Sequence, residues 1–273
     1  MNDRTETAAL LLPGIALLAL AFALPILHML VLAVAGPSGF TLEYLAKVLG
    51  DGFYLGVLWR TVRLSLVITA LCALIGFPLA YIMARGGPRL RLALLVMVVL
   101  PLMTSVVVRT FGWMVLLTRS GLVPQTLRDL GLVNRSFSLM QTETAIVLGL
   151  TQVLLPFMVL SILGVLTRID GRLEEAARTM GASFGRTLTA VVLPLSLPGL
   201  VAGSLLCFTL SASSFVTPNL LGGSRLHVLA SSIYGAVTQT LDWNFAAAQA
   251  VVLFAGVLLV LVPYVRPTGP RHG

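Results

Sequence analysis

Charge is what this sequence has least of. Only 10% of its 273 residues are Asp, Glu, Lys or Arg, against about a quarter in a soluble domain. Hydrophobic residues make up 58% and mean hydropathy is +0.99. Such a chain lacks the polar atoms to cover a water-facing surface, which excludes a soluble enzyme or binding module and leaves an integral membrane protein. Cysteine is nearly missing too. Cys72 and Cys207 both lie in apolar runs and form neither a disulfide framework nor a metal-ligand spacing, so they read as helix-packing residues and no metal site is expected. Lysine is reduced to Lys47, and no G-x-x-x-x-G-K-[ST] stretch exists. Without that phosphate-binding loop the chain has no ATPase site of its own.

Basic residues still outnumber acidic ones, for a net charge of +8. They are scattered between hydrophobic segments instead of clustering on one face, which argues against nucleic-acid binding. A positive excess beside membrane spans is the ordinary mark of topology.

A spanning helix needs roughly 20 mostly apolar residues. Six segments qualify, at 9–35, 62–84, 92–117, 144–166, 195–217 and 246–265, and none contains Asp or Glu. The expected fold is an all-α membrane protein of six transmembrane helices, a single domain over 1–273. In the first segment Ala33-Val34-Ala35 resembles a signal-peptidase site, but the apolar run is far longer than a signal h-region of about 7–15 residues. It reads as a retained helix, with a signal peptide as the alternative.

With the N-terminus inside, one side carries Arg4, Arg85, Arg89, Arg91, Arg168, Arg172, Arg178, Arg186, Arg266 and Arg271. The other carries Lys47, Arg60, Arg63, Arg119, Arg128, Arg135 and Arg225, and Arg109 stands apart within a span. Ten against seven favours a cytoplasmic N-terminus.

A polar connection, 168–193, lies between the fourth and fifth spans. Its Gly181-Ala182-Ser183-Phe184-Gly185 fits the G-x-S-x-G of many hydrolases. That elbow needs a strand before its serine. Here Leu173, Ala176, Ala177 and Met180 recur at i, i+3, i+4 and i+7, which predicts a helix. Asp170 can cap that helix, Glu174 and Glu175 suit its positive first turn, and Gly181 is placed to end it. Ser183 then caps a second short helix running toward Leu193-Pro194. No catalytic residue is assigned, and His28, His227 and His272 lie in other segments. A small amphipathic helix of this kind suits either a partner's groove or the lipid interface.

The spacing goes further. Glu175-Ala176-Ala177, three residues, Gly181, nine residues and Val191-Val192-Leu193-Pro194 resembles the E-A-A-x3-G-x9-I-x-L-P loop of ABC-importer permeases, with valine for isoleucine. "LWRTVRLSL", "GFPLAYIMAR", "VVRTFGWMVLLTRSGLV", "LPFMVLSI" and "SFVTPNLLGG" are similar to the spermidine/putrescine-type subfamily. The resemblance implies a type I importer permease of a bacterial inner membrane. Its 168–193 loop would insert into a cleft of a cytoplasmic ATPase, with Glu175 as a charged contact there or within the loop. It also implies two ATP-binding subunits, which bind ATP and Mg, a second related permease subunit and a periplasmic solute-binding protein. The cargo would be a polyamine, or a related opine or aminoalkyl-phosphonate.

Arg109, in "VRTFGW" beside Phe111 and Trp113, is a candidate for the substrate pathway because an ionisable residue at depth is functional by default. The alternative is that it snorkels to the outer interface while Trp113 anchors at the headgroups. Phe215 and Thr217 in "FVTPNLLGG", a bend or re-entrant turn, are further pathway candidates. Asp242 with Trp243 is another, and Glu43, Asp51, Asp129 and Glu143 share its side and could steer a cation. The competing class is a stand-alone secondary transporter or channel. Such carriers usually place carboxylates or histidines in the membrane, and the spans here contain His28 at most.

Overall fold

Periodic apolar stretches become helices almost throughout. The computed structural model describes residues 3–36, 39–134 and 137–265. Arg135, Arg266 and Arg271, counted in the charge balance, and His272 lie outside the described residues. Helix α1 spans Asp3–Val34, and a short antiparallel pair, Ala35–Gly36 with Gly39–Phe40, leads to α2 (Glu43–Gly50) and α3 (Gly52–Arg85). Next come α4 (Pro88–Val99), α5 (Val106–Leu117), α6 (Leu122–Asp129) and α7 (Glu143–Leu166). Then follow α8 (Arg172–Thr179), α9 (Phe184–Thr187), α10 (Leu193–Ala212), α11 (Val216–Gly222), α12 (Leu229–Thr238) and α13 (Trp243–Val265).

Among the described residues, six stretches are long and apolar enough to cross a membrane: Leu11–Val34, Gly52–Arg85, Val106–Asp129, Glu143–Leu166, Phe184–Ala212 and Trp243–Val260. Two differ from the sequence reading. The expected continuous span 92–117 is broken, because Pro101 has no N–H for a helical bond. The chain tightens into a 3-10 turn at Leu100–Met103, and Thr104 and Ser105 are extended, with ψ of 147° and 138°. The third crossing stretch is instead α5 and α6 with the turn between them.

The expected span 195–217 stops at Ala212 and starts much earlier, because α9 runs into α10 through a π turn at Leu188–Val192. Leu193 N–H bonds back to the Leu188 carbonyl across five residues, so Pro194 enters in the first turn of α10, where it interrupts nothing.

Two compact units are seen. One comprises Val57–Ser231 with Val257–Gly273, and its core is built around α7. Over an apolar stretch of 18 residues in α7 56% are buried, whereas none are in the corresponding stretch of α1, so α7 is the interior post and α1 is the least enclosed of the spans. The Gly199-x-x-x-Gly203 pair brings α10 onto α7. A Cβ at Gly199 would stand 2.8 Å from the Ser161 carbonyl, and one at Gly203 2.7 Å from Met158 Sδ. This is the small-residue approach expected of G-x-x-x-G in lipid. Cys72 and Cys207 are free and buried, and their thiols face the Thr151 and Leu154 carbonyls of α7.

The other unit comprises Met1–Gly56 with Ser232–Gly256. Tyr54 meets Phe245 edge to face, with ring centroids 5.0 Å apart, and Lys47 Nζ lies 4.7 Å from the Phe245 centroid.

Candidate functional site

The segment 168–193 folds as a helical hairpin, and its local chemistry follows the sequence closely. Asp170 Oδ1 accepts the N–H of Arg172 at 3.0 Å, satisfying one of the orphan donors at the start of α8, although the capping position itself is Gly171. Gly181 ends the helix at φ +87°, a conformation that costs a residue with a Cβ about 1–2 kcal/mol. There Gly181 N–H bonds to the Arg178 carbonyl and Ala182 N–H to that of Ala177. Ser183 Oγ accepts the N–H of Arg186 at 3.4 Å and so caps α9.

The two faces of α8 have different fates. Glu174 and Ala177 turn inward, 6% and 7% exposed. Glu174 Oε1 accepts from Arg85 Nε at 2.7 Å and Oε2 from the Tyr81 hydroxyl at 2.7 Å. Arg85 Nη1 also donates to the Ile169 carbonyl at the hairpin's root, while its Nη2 is buried without a partner among the described residues. The Tyr81 ring meets Phe184 at 6.1 Å, and the Arg178 guanidinium stacks on the other side of the joint, 5.7 Å from the Phe184 centroid. The hairpin is therefore fastened to the end of α3 by a buried, charge-assisted pair.

The opposite face is bare. Glu175 and Ala176 are exposed, as are Leu173 at 48%, Phe184 at 56% and Met180 at 83%. The apolar stripe expected from 173, 176, 177 and 180 is thus split, with Ala177 facing its own chain and the rest facing outward. Of the two adjacent glutamates, Glu174 makes the contact within the protein and Glu175 does not. Tyr81 and Arg85 were not singled out from sequence. Their only signal is that they lie one turn apart, with an arginine closing the second span. Leu193 and Pro194 lie in α10, beyond the hairpin proper, and Pro194 is exposed.

The remaining candidates fall into separate units. Arg109, Trp113, Phe215 and Thr217 belong to the unit containing α7. Arg109 is half-buried, and its Nε and Nη1 are enclosed without a partner among the described residues. Trp113 Nε1 donates to Gln152 Oε1 at 3.4 Å. Thr217 is fully buried and its hydroxyl lies 3.1 Å from that of Thr110, joining α11 to α5. Phe215 precedes α11, which closes on Gly223 at φ +58°; the bend expected in "FVTPNLLGG" is a short helix. Glu143, one of the carboxylates expected to steer a cation, already pairs with Arg60 and Arg63. Asp242 and Trp243 belong to the other unit, where Asp242 Oδ1 caps α13 by accepting the Phe245 N–H at 3.0 Å and Trp243 is 57% exposed.

Comparison with known proteins agrees with this architecture. Residues 76–265 match the family described as binding-protein-dependent transport system inner membrane component. The spermidine/putrescine transport system permease protein PotB of Haemophilus influenzae is 34% identical over 213 residues, covering 78% of this chain and 74% of that protein. PotB of Escherichia coli strain K12 is 31% identical over 227 residues, covering 83% and 82%. A solved bacterial ABC transporter that imports the acidic polysaccharide alginate superposes with a TM-score of 0.70, at 20% identity, over 96% of this chain and 95% of that one. At that identity the likeness concerns the fold alone. The chain belongs to the binding-protein-dependent transport system inner membrane components, and it is a multi-pass permease subunit of an ATP-driven importer.

Proposed function

We propose that this permease carries an aliphatic polyamine inward across a bacterial inner membrane, with the α8–α9 hairpin as the element that receives the ATPase stroke. The observation that carries the coupling role is the division of α8. One face is locked to α3 through Glu174, Arg85 and Tyr81, and the other presents Leu173, Ala176, Met180 and Phe184 to a partner. Burying a fully exposed Leu, Met or Phe is worth about 1.5–3 kcal/mol, so an ATPase cleft closing on Met180, 83% exposed, gains most of that and on the half-exposed Leu173 and Phe184 part of it. Glu175, exposed at the centre, supplies a charge for that cleft. Force applied to the bare face passes through the buried pair to α3 and through the continuous helix Phe184–Ala212 to the fifth span.

The relatives' polyamine transport supports the cargo, and opines or aminoalkyl-phosphonates remain in the same size class. In this reading two ATP-binding subunits hold the ATP and Mg, a second related permease completes the pathway and a periplasmic binding protein delivers the solute. Arg85 closes α3 and Arg89 and Arg91 lie in the first turn of α4, on the hairpin's side of the six-span topology, which supports a cytoplasmic hairpin and N-terminus. ATP binding closes the ATPases, the hairpin follows, the spans open outward and hydrolysis resets them.

The test is Glu175→Lys in the co-expressed complex, measuring ATPase co-purification and ATP-dependent uptake of spermidine and putrescine in vesicles. Loss of both, with the permease still folded, is the expected result. Normal uptake without any ATPase subunit would instead make the chain a stand-alone carrier.

A further inference from the structure

The unit formed by Met1–Gly56 and Ser232–Gly256 holds a feature that the coupling role does not use. A cavity of about 220 Å³ lies between α2, the first turn of α3, the end of α12 and the start of α13, bordered by Lys47, Tyr54, Asp242, Phe245 and Gln249. Gln249 is 0% exposed, and neither its Nε2 nor its Oε1 has a partner among the described residues. A buried amide left unpaired is costly, so its partner is expected to come from outside the chain.

The walls say which kind of partner. Phe245 and Tyr54 meet edge to face, and an ammonium already sits over the Phe245 ring: Lys47 Nζ, 4.7 Å from the centroid. Lys47 is the only lysine among 18 basic residues. Arginine and lysine differ here, because a lysine ends in the same primary ammonium as an aliphatic polyamine. Asp242 forms no ion pair among the described residues, and its carboxylate accepts the Phe245 N–H through Oδ1. An aromatic face, a carboxylate and a buried amide oxygen together form an ammonium site. The volume sets the size, since whole-ligand pockets run to about 300–1,000 Å³, and this cavity admits one aminoalkyl arm.

We propose that this cavity binds one protonated aminoalkyl end of the transported amine, with the Lys47 ammonium as its resident stand-in that the solute displaces. Its walls include α2, which follows the first span, and Asp242, which precedes the sixth, so with a cytoplasmic N-terminus it belongs to the side where solute arrives. The proposal rests on the polyamine reading above.

The experiment measures binding of radiolabelled putrescine to the purified whole importer in nanodiscs, without its solute-binding protein, alongside binding-protein-dependent uptake in vesicles. Saturable binding is expected in the wild type. Asp242→Asn keeps a good helix cap while removing the charge, and should weaken binding about tenfold, the effect of losing a charge-assisted bond. Gln249→Leu should also weaken it, without a folding penalty. Lys47→Met, which removes the internal competitor, should tighten binding about two- to five-fold. Wild-type affinity in all three variants, or no saturable binding while uptake proceeds, would overturn the pocket and leave the cargo reading intact. Binding lost in Asp242→Asn and tightened in Lys47→Met, but with no polyamine uptake by the intact importer, would support the pocket and overturn the cargo.

Discussion

The two faces of α8 belong to one eight-residue helix, yet they do opposite things. The inner face, Glu174 and Ala177, is buried and tied to Tyr81 and Arg85. The outer face, Leu173, Ala176 and Met180, stays open, and Phe184 beyond the joint meets Tyr81 and Arg178 yet remains 56% exposed. A docking element needs this asymmetry. Were both faces free, a partner's push would rotate the helix; were both packed, no partner could grip it.

Breaking the inner face should have the largest effect. Glu174→Leu strands the Arg85 guanidinium, and removing one member of a buried pair costs about 3–5 kcal/mol. Limited proteolysis should then cut the 168–193 hairpin rapidly, and ATP-driven uptake should vanish. The double substitution Glu174→Met with Arg85→Met removes both charges and should restore most of the protease resistance. If the single variant is as resistant as wild type, the fastening does not exist.

Spoiling the outer face comes next. Met180→Glu should leave the hairpin as protease-resistant as before, while the ATPase affinity drops by the about 1.5–3 kcal/mol that burying this side chain supplies. That is about ten- to a hundred-fold in a binding titration. An unchanged titration would mean that the bare stripe faces lipid.

The joint sharpens the comparison, since it orients both faces at once. Gly181→Val must hold φ +87° against a strain of about 1–2 kcal/mol. The expected signature is ATP hydrolysis that continues while uptake falls, read from the ratio of the two rates. Smallest is Ser183→Ala, which removes a cap worth about 1 kcal/mol from an exposed helix. A small loss of thermal stability with near-normal uptake is expected, and a serine-reactive probe should fail to label the wild type.

Where the sequence was sufficient, the reason is that the information was local. Six apolar stretches, the helix of 172–179, the turn at Gly181 and the cap at Ser183 are each set by residues within a turn or two of one another. Where it fell short, the deciding partner was distant or the effect of a proline depended on its neighbours. Pro101 breaks the third span, whereas Pro194 is absorbed because a π turn precedes it. The G-x-x-x-G pair announced a close helix approach, but only the fold identifies α7 as its recipient.

By itself, the sequence determined that the chain belongs in a membrane, has six stretches apolar enough to cross it and carries a two-helix loop. Hydropathy, capping and glycine conformation act over a few residues and can be read in line. Tertiary structure alone decided that Glu174 and not Glu175 turns inward, because Arg85 and Tyr81 lie 89 and 93 residues away in sequence. It also brought Lys47 over Phe245 and left the Gln249 side chain without a partner among the described residues, since a cavity is made by elements that meet only when the chain folds.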